Sequence, residues 1–221
     1  VCTRNCRFCS VKTGTCGNVP DKNEPENIAN AVKEMQLKHV VLTSTTRDDL
    51  TDGGTEHFVA AIRGIKSLDA GIKVEVLIPD NIDITGLIAA KPDVIAHNVE
   101  TVRELTPKIR DKRASYEFSL EILRHIKEIN SAILTKSSIL LGFGETKAQV
   151  KATLDDLKEN NVDIVVIGQY LRPSQSQLPV AEYIQPETFA EYEEYCRQLG
   201  IKSVISHPLA RTSYKAHIFC S

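Results

Sequence analysis

No stretch of eighteen consecutive apolar residues occurs in this chain, so the sequence supports no membrane-spanning helix. No secretory signal is visible, and no low-complexity tract or linker interrupts the chain. Neither sign of charge is in surplus: 27 Lys and Arg stand against 29 Asp and Glu, a net charge of −2. Such a chain has no global positive field to gather phosphates, which counts against nucleic acid as a partner. There is no initiator Met; the chain opens Val1-Cys-Thr-Arg4, which raises the expectation of a preceding segment that carries an address or further ligands.

What is present is an ordinary globular balance. Of 221 residues, 42% are hydrophobic, enough for the core of one α/β domain spanning 1–221. Short β-branched runs read as buried strands: His39 to Ser44, Lys73 to Ile78, Asp93 to His97, Ser138 to Gly142, Asp163 to Gly168 and Ser203 to Ser206. Amphipathic helices are expected between them. Their apolar faces are Ile28, Ala31, Val32 and Met35 behind Pro25; Phe58, Ala61, Ile62 and Ile65; Leu120, Leu123 and Ile126; Val150, Leu154 and Leu157; and Phe189, Tyr192, Cys196 and Leu199, between Pro186 and Gly200. This alternation implies a parallel sheet. In β/α barrels chemistry gathers at the C-terminal strand ends, and polar residues stand at those ends here: Thr43-Ser44, His97-Asn98, Gly142 to Glu145 and Gln169-Tyr170.

Six cysteines lie at positions 2, 6, 9, 16, 196 and 220. An even count fits disulfides in a small secreted protein, but three within eight residues of a large-cored chain point to metal and a reducing compartment. Cys2-Thr-Arg-Asn-Cys6-Arg-Phe-Cys9 has the form Cys-x3-Cys-x2-Cys. Three thiolates around a 4Fe–4S cube leave one iron open, unlike a four-cysteine electron carrier. This spacing, with Phe8 before the third cysteine, resembles the radical S-adenosylmethionine superfamily. There the open iron chelates the amino and carboxylate groups of that cofactor, and an electron breaks its sulfonium bond. The alternative is a structural zinc site, with Cys16 or a distant His as fourth ligand. Cys16 is either that extra ligand or an incidental thiol in a Gly-rich loop, and Cys196 on an apolar helix face reads as an inert buried thiol.

Other residues carry paired readings. Ser44 and Arg47, beside Asp48 and Asp49, suit either a solvated capping loop or the polar end of S-adenosylmethionine. His97, Asn98 and Glu100 suit structural bonding or contacts to ribose or substrate. Lys136 either pairs with a carboxylate or binds the cofactor carboxylate. Gly142 and Gly144 permit close backbone approach to a planar ligand. Gln169 is a further cofactor-binding candidate at a strand end, and Tyr170 and Arg172 serve equally as packing and surface residues. The stretch 201–221 holds Lys202, Arg211 and Lys215 without an acid, either an ordinary tail or a contact for an acidic partner. No general acid, base or nucleophile is singled out.

Seven strings, read together, resemble the lipoyl synthase family in content and order: Thr43-Ser-Thr-Thr-Arg-Asp-Asp-Leu-Thr-Asp-Gly-Gly54, Glu75-Val-Leu-Ile-Pro-Asp80, His97-Asn-Val-Glu-Thr101, Thr135-Lys-Ser-Ser138, Gly142-Phe-Gly-Glu-Thr146, Gly168-Gln-Tyr-Leu-Arg-Pro-Ser174 and Pro208-Leu-Ala-Arg-Thr-Ser-Tyr-Lys-Ala216. The resemblance implies a partial (β/α)6-type radical barrel whose first strand is missing from the given chain. It implies insertion of two sulfur atoms into an octanoyl chain on a carrier lysine, with one S-adenosylmethionine consumed per sulfur. It further implies an electron donor, an octanoylated lipoyl carrier, and a second, auxiliary 4Fe–4S cluster that gives up its sulfur. Three ligands of that cluster would be cysteines upstream of the radical loop, absent here. The fourth would be a Ser of an Arg-Ser-Ser-Tyr motif, which reads Arg211-Thr212-Ser213-Tyr214; Ser213 takes the role, with Thr212 in reserve. A truncated chain, a partner that supplies ligands and a degenerate relative each account for the missing cysteines, and truncation is the expectation. The place of action would be the cytoplasm, or an organelle matrix if a targeting segment is missing.

Overall fold

The structure, a computed structural model, describes residues 1–213 and 216–219; Tyr214, Lys215, Cys220 and Ser221 lie outside the described residues. Six strands form one open parallel sheet in sequence order, β1 (His39–Thr43), β2 (Lys73–Leu77), β3 (Val94–Ala96), β4 (Leu134–Leu141), β5 (Ile164–Gln169) and β6 (Ser203–Ser206). Each adjacent pair is parallel, and β1 and β6 are the two edges, the arrangement of a partial barrel. The helices are α1 (Glu24–Glu34), α2 (Thr55–Leu68), α3 (Ile84–Ala89), α4 (Thr106–Ile109), α5 (Tyr116–Ile129), α6 (Lys147–Glu159) and α7 (Pro186–Gln198). A short 3-10 turn covers Ala216–Phe219.

Strand pleating sorts side chains onto two faces. Ile139 and Leu141 of β4 and Val165 and Ile167 of β5 join Leu123, Leu154 and Phe189 of the helices in one apolar cluster. A second cluster sets Val74, Val76 and Ile95 against Phe58, Ile62, Ile65 and Ile126. Each such Leu, Ile or Phe side chain, fully buried, is worth about 1.5–3 kcal/mol. The alternate residues, among them Glu75, Lys136 and Ser138, face the opposite way, into the concave interior. Helix ends are set by local chemistry. Ser115 accepts the amide of Phe118, and Thr146 forms a reciprocal box with Gln149. Gly200, with φ +72°, stops α7.

Two expectations need correction. Strand β4 begins at Leu134, not Ser138, because its polar Thr135, Lys136 and Ser137 are buried with partners. The inward face of α1 is Ile28, Ala29 and Val32; Ala31 and Met35 are exposed, Met35 by 67%. Helices α3 and α4 were too short for periodicity to show.

Candidate active site

The cysteine loop lies across the C-terminal ends of β1, β2 and β3. It is held from three sides by backbone bonds. Thr3 donates to the Thr46 carbonyl (3.0 Å), Arg7 donates to that of Ile109 (2.8 Å), and Leu178 donates to the carbonyl of Arg7 (3.0 Å). Charged side chains complete the frame. Arg4 reaches Asp48 with Nε and Nη2 (2.7 and 2.9 Å) and Asp80 with Nη1 (3.0 Å). Asp111 accepts the Asn5 amide at 2.8 Å and pairs with Arg113 at 2.9 Å. Arg113 also bonds the Thr3 carbonyl. The bond from Arg4 holds the Asp48 carboxyl below its ordinary range. Burial alone would raise Asp111, but Arg113 and two backbone amides hold it well below that range.

Cys2, Cys6 and Cys9 line one cavity of about 290 Å³, together with Ser44, Asn98, Glu100, Asp80 and Arg110. Phe8, Val11, Leu77, Ile78 and Pro79 supply its apolar wall. Each cysteine sulfur accepts a backbone amide: Cys2 from Arg4 (3.4 Å), Cys6 from Asp111 (3.3 Å) and Cys9 from Val11 (3.5 Å). Such donors tune a bound cluster. Burial pushes the Cys6 thiol up to about 11, against the pull of the Asp111 amide. Metal binding would therefore release its proton.

The residues fit an iron–sulfur cube better than a single ion. A zinc ion would draw thiolate sulfurs to roughly 3.8 Å from one another. Among the described residues no three His, Cys, Asp or Glu side chains converge on one such point. The three cysteines instead share the lining of one cavity of about 290 Å³, room for a group larger than one ion. A second observation concerns the cofactor. Asn98 donates from Nδ2 to Glu100 Oε1 (3.1 Å), while its buried Oδ1 has no partner among the described residues. A buried unsatisfied acceptor on a cavity wall is a place for a ligand hydroxyl or amine. Glu100 adopts φ +68°, a strained left-handed conformation for a non-glycine, and burial raises its carboxyl against the pull of Arg110.

Six candidates thus meet: Cys2, Cys6, Cys9, Ser44, Asn98 and Glu100. His97 also borders the cavity, but it is 2% exposed and its Nδ1–H donates to the Ile78 carbonyl (3.0 Å). Arg47 lies outside. Its guanidinium grips Asp49 and the Asn18 carbonyl and faces a neighbouring hollow that Ser44 shares. Lys136 is fully buried and bonded to Glu75. Gly142 (φ +110°) and Gly144 (φ +98°) shape the loop after β4, whose amides Gly142 and Phe143 donate to Glu145. A side chain at Gly142 would strike Gln169 Nε2 at 2.2 Å. Gln169 itself is a strut, donating to the carbonyls of Tyr170 and Glu182 and accepting from the Ile184 amide. This loop touches the cysteine loop through Phe143, stacked on Tyr170 (4.3 Å) and edge-on to Phe8 (6.3 Å). Ser213 is exposed and borders no part of the cavity. Lys202 lies at the N-terminal end of β6, bonded to Asp163 at 2.5 Å, away from Arg211 beyond the other end. Lys202 and Arg211 therefore do not form one patch. Cys16 is exposed and outside the cavity.

Sequence reasoning misses Asp80, Arg110, Asp111 and Arg113. Asp80 follows β2 as Ser44 follows β1, so the strand-end rule was the available signal. The other three come from the turn after α4 and carry no local mark.

Comparison with known proteins agrees with this geometry. The family model described as "Radical SAM superfamily" matches residues 1–157. "Lipoyl synthase" of Methanocella arvoryzae is 50% identical over 219 residues, covering 97% of this chain and 74% of that protein. "Lipoyl synthase, mitochondrial" of Schizosaccharomyces pombe is 50% identical over 219 residues, covering 97% of this chain and 59% of that one. Among solved structures, the FeFe-hydrogenase maturase HydG from Carboxydothermus hydrogenoformans superposes with a TM-score of 0.73 at 17% identity, over 92% of this chain and 50% of its own, a likeness of fold.

Proposed function

This chain belongs to the lipoyl synthase family of the radical S-adenosylmethionine superfamily, and we propose that its cysteine cavity is where that family's radical is made. Its function is radical insertion of two sulfur atoms into a protein-bound octanoyl-lysine chain, which makes a lipoyl carrier its substrate. When bound, a 4Fe–4S cluster and S-adenosylmethionine supply the carbon radical that takes hydrogen from an unactivated C–H bond.

The chain's own residues bind, orient and exclude water. Cys2, Cys6 and Cys9 anchor the cluster and leave one corner for the cofactor. Asn98 Oδ1 accepts from a cofactor hydroxyl or amine, and Glu100, held in place by Asn98, accepts from the neighbouring polar group. Ser44 adds a hydroxyl to the same lining from the end of β1. The apolar surface of Phe8, Val11, Leu77 and Ile78 keeps water from a radical that would otherwise be quenched. Gly142 and Gly144 act through Phe143, which braces Phe8. Arg47 acts through Asp49 on the loop edge, and Lys136 and Gln169 are structural neighbours of the site.

The finer reading adds an auxiliary 4Fe–4S cluster as sulfur donor, with the hydroxyl of Ser213 as one ligand and Thr212 in reserve. An oxygen ligand on a soft iron–sulfur site is weakly held, suited to a cluster that is taken apart. Its cysteine ligands would come from outside this chain, and an external donor would supply electrons. No helix among the described residues is long and apolar enough to cross a membrane. We place its action in the cytoplasm or an organelle matrix.

The observation that carries this reading is that three cysteines, each with an amide donor, line one cavity beside Asn98 Oδ1, which has no partner among the described residues. The test is the mass of an octanoyl-lysyl carrier domain after anaerobic incubation with the reconstituted full-length enzyme, S-adenosylmethionine and a reductant. A gain of two sulfur atoms is expected, two C–H bonds having become C–SH under the reducing conditions. An unchanged carrier alongside sulfur added to another substrate would overturn it.

A further inference from the structure

Lys136 and Glu75 form an ion pair with no exposed side-chain surface on either partner. The ammonium lies 2.9 and 3.1 Å from the two carboxylate oxygens. It also donates to a third acceptor, the backbone carbonyl of Thr212, at 2.5 Å. The Thr212 hydroxyl meets Ser138 Oγ at 3.3 Å. The chain beyond β6 is thereby tied across the sheet interior to β4, and the 3-10 turn that follows rests against β1.

The tie sits beside the cavity. Thr43, Leu77, Ala96 and Lys136 stand in one row of the sheet register, and Thr43 and Leu77 line the cavity. Lys136 is therefore at the level of its floor. Ser138 is one pleat higher, and its carbonyl accepts the amide of Glu100 at 3.0 Å. Two hydrophobic residues in place of the ion pair would serve stability as well or better, since two buried charges lose their hydration. What an apolar pair cannot do is hold a particular carbonyl. We infer that Glu75 and Lys136 are a positioning pair: Glu75 fixes the ammonium, and the ammonium fixes the peptide of Thr212 and so sets where Ser213 is presented. This inference rests on the reading of Ser213 as an auxiliary-cluster ligand.

The test uses the full-length holoenzyme. Lys136→Met alone would strand a buried carboxylate and risk misfolding, so the variant is Glu75→Leu with Lys136→Met, a pair of matched apolar side chains. Three quantities are read: amide hydrogen exchange across 210–213, bound iron and sulfide, and 5′-deoxyadenosine formed. The expected result is exchange about tenfold faster at Thr212 and Ser213. With it goes loss of about half of the iron, the auxiliary share. Cleavage of S-adenosylmethionine should persist. Unchanged exchange with full iron overturns the inference. So does equal loss of both clusters with a lowered unfolding midpoint, the mark of a merely structural pair. Ser213→Ala separates the two claims. If it loses iron while the double variant keeps it, only the positioning role falls. If Ser213→Ala itself keeps all of its iron, the ligand reading falls and takes the inference with it.

Discussion

Arg4, between the first two cysteines of the loop, grips Asp48 with two nitrogens at 2.7 and 2.9 Å and sends a third to Asp80. The loop is thus framed before any cluster is added, by carboxylates from the ends of two different strands.

Asp48→Asn removes the charge but keeps the shape. The change weakens bonds to Arg4, Thr3 and Arg113 together, and should cost about 2–3 kcal/mol. Iron retention during anaerobic desalting should fall with it, while far-ultraviolet circular dichroism stays native. Unaltered unfolding and iron retention would remove the carboxylate from the frame.

Both Asp48 and Asp111 are held below the ordinary carboxylate range in the folded protein. A depressed carboxyl stabilises the fold fully above its unfolded value, and that contribution fades as pH falls toward the folded value. Urea midpoints of the apoprotein should therefore drop as pH falls from 5 to 3. The Asp48→Asn variant should show a shallower slope over that window. A wild-type midpoint that rises on acidification would contradict the assignment.

Cys196 is fully buried in the apolar cluster behind β5, and burial pushes its thiol up to about 12, whereas Cys16 is exposed. In the cluster-loaded protein, iodoacetamide should label Cys16 and spare Cys196. Cys16→Ser should keep the iron content of the wild type. Lost iron would make Cys16 a ligand.

Asn98→Ala removes a buried acceptor on the cavity wall that lacks a partner among the described residues. The KM for S-adenosylmethionine should rise about tenfold, the loss of one hydrogen bond to a buried site. Iron content should not change. An unaffected KM would place the Asn98 amide in a purely structural role.

The strands and most helices were legible because β-branched runs alternate with apolar residues at helical spacing. Where legibility failed, polar residues had been buried with partners distant in sequence. Thr135, Lys136 and Ser137 look like loop, yet Asp163, Glu75 and the Val99 amide satisfy them inside β4. Met35 looks like core because it shares the spacing of Ile28 and Val32, but α1 ends at Glu34 and Met35, its C-cap, stands exposed. At the site, the three cysteines, Ser44, Asn98 and Glu100 were readable from spacing and strand-end position. Arg110, which lines the cavity, and Asp111, which holds the cysteine loop, were not, since both come from the turn after α4. The grip of Arg47 on Asp49 and the strut made by Gln169 are outcomes of side-chain geometry that residue type does not encode.

We propose that Cys2, Cys6 and Cys9 jointly hold the cluster that cleaves S-adenosylmethionine. The most direct test is 5′-deoxyadenosine formation by the full-length, anaerobically reconstituted enzyme and by each of Cys2→Ala, Cys6→Ala and Cys9→Ala under a strong reductant. Loss of at least about a hundredfold is expected in all three, because a cluster with two protein ligands is neither retained nor correctly open. Cleavage at the wild-type rate by any one of them would contradict it.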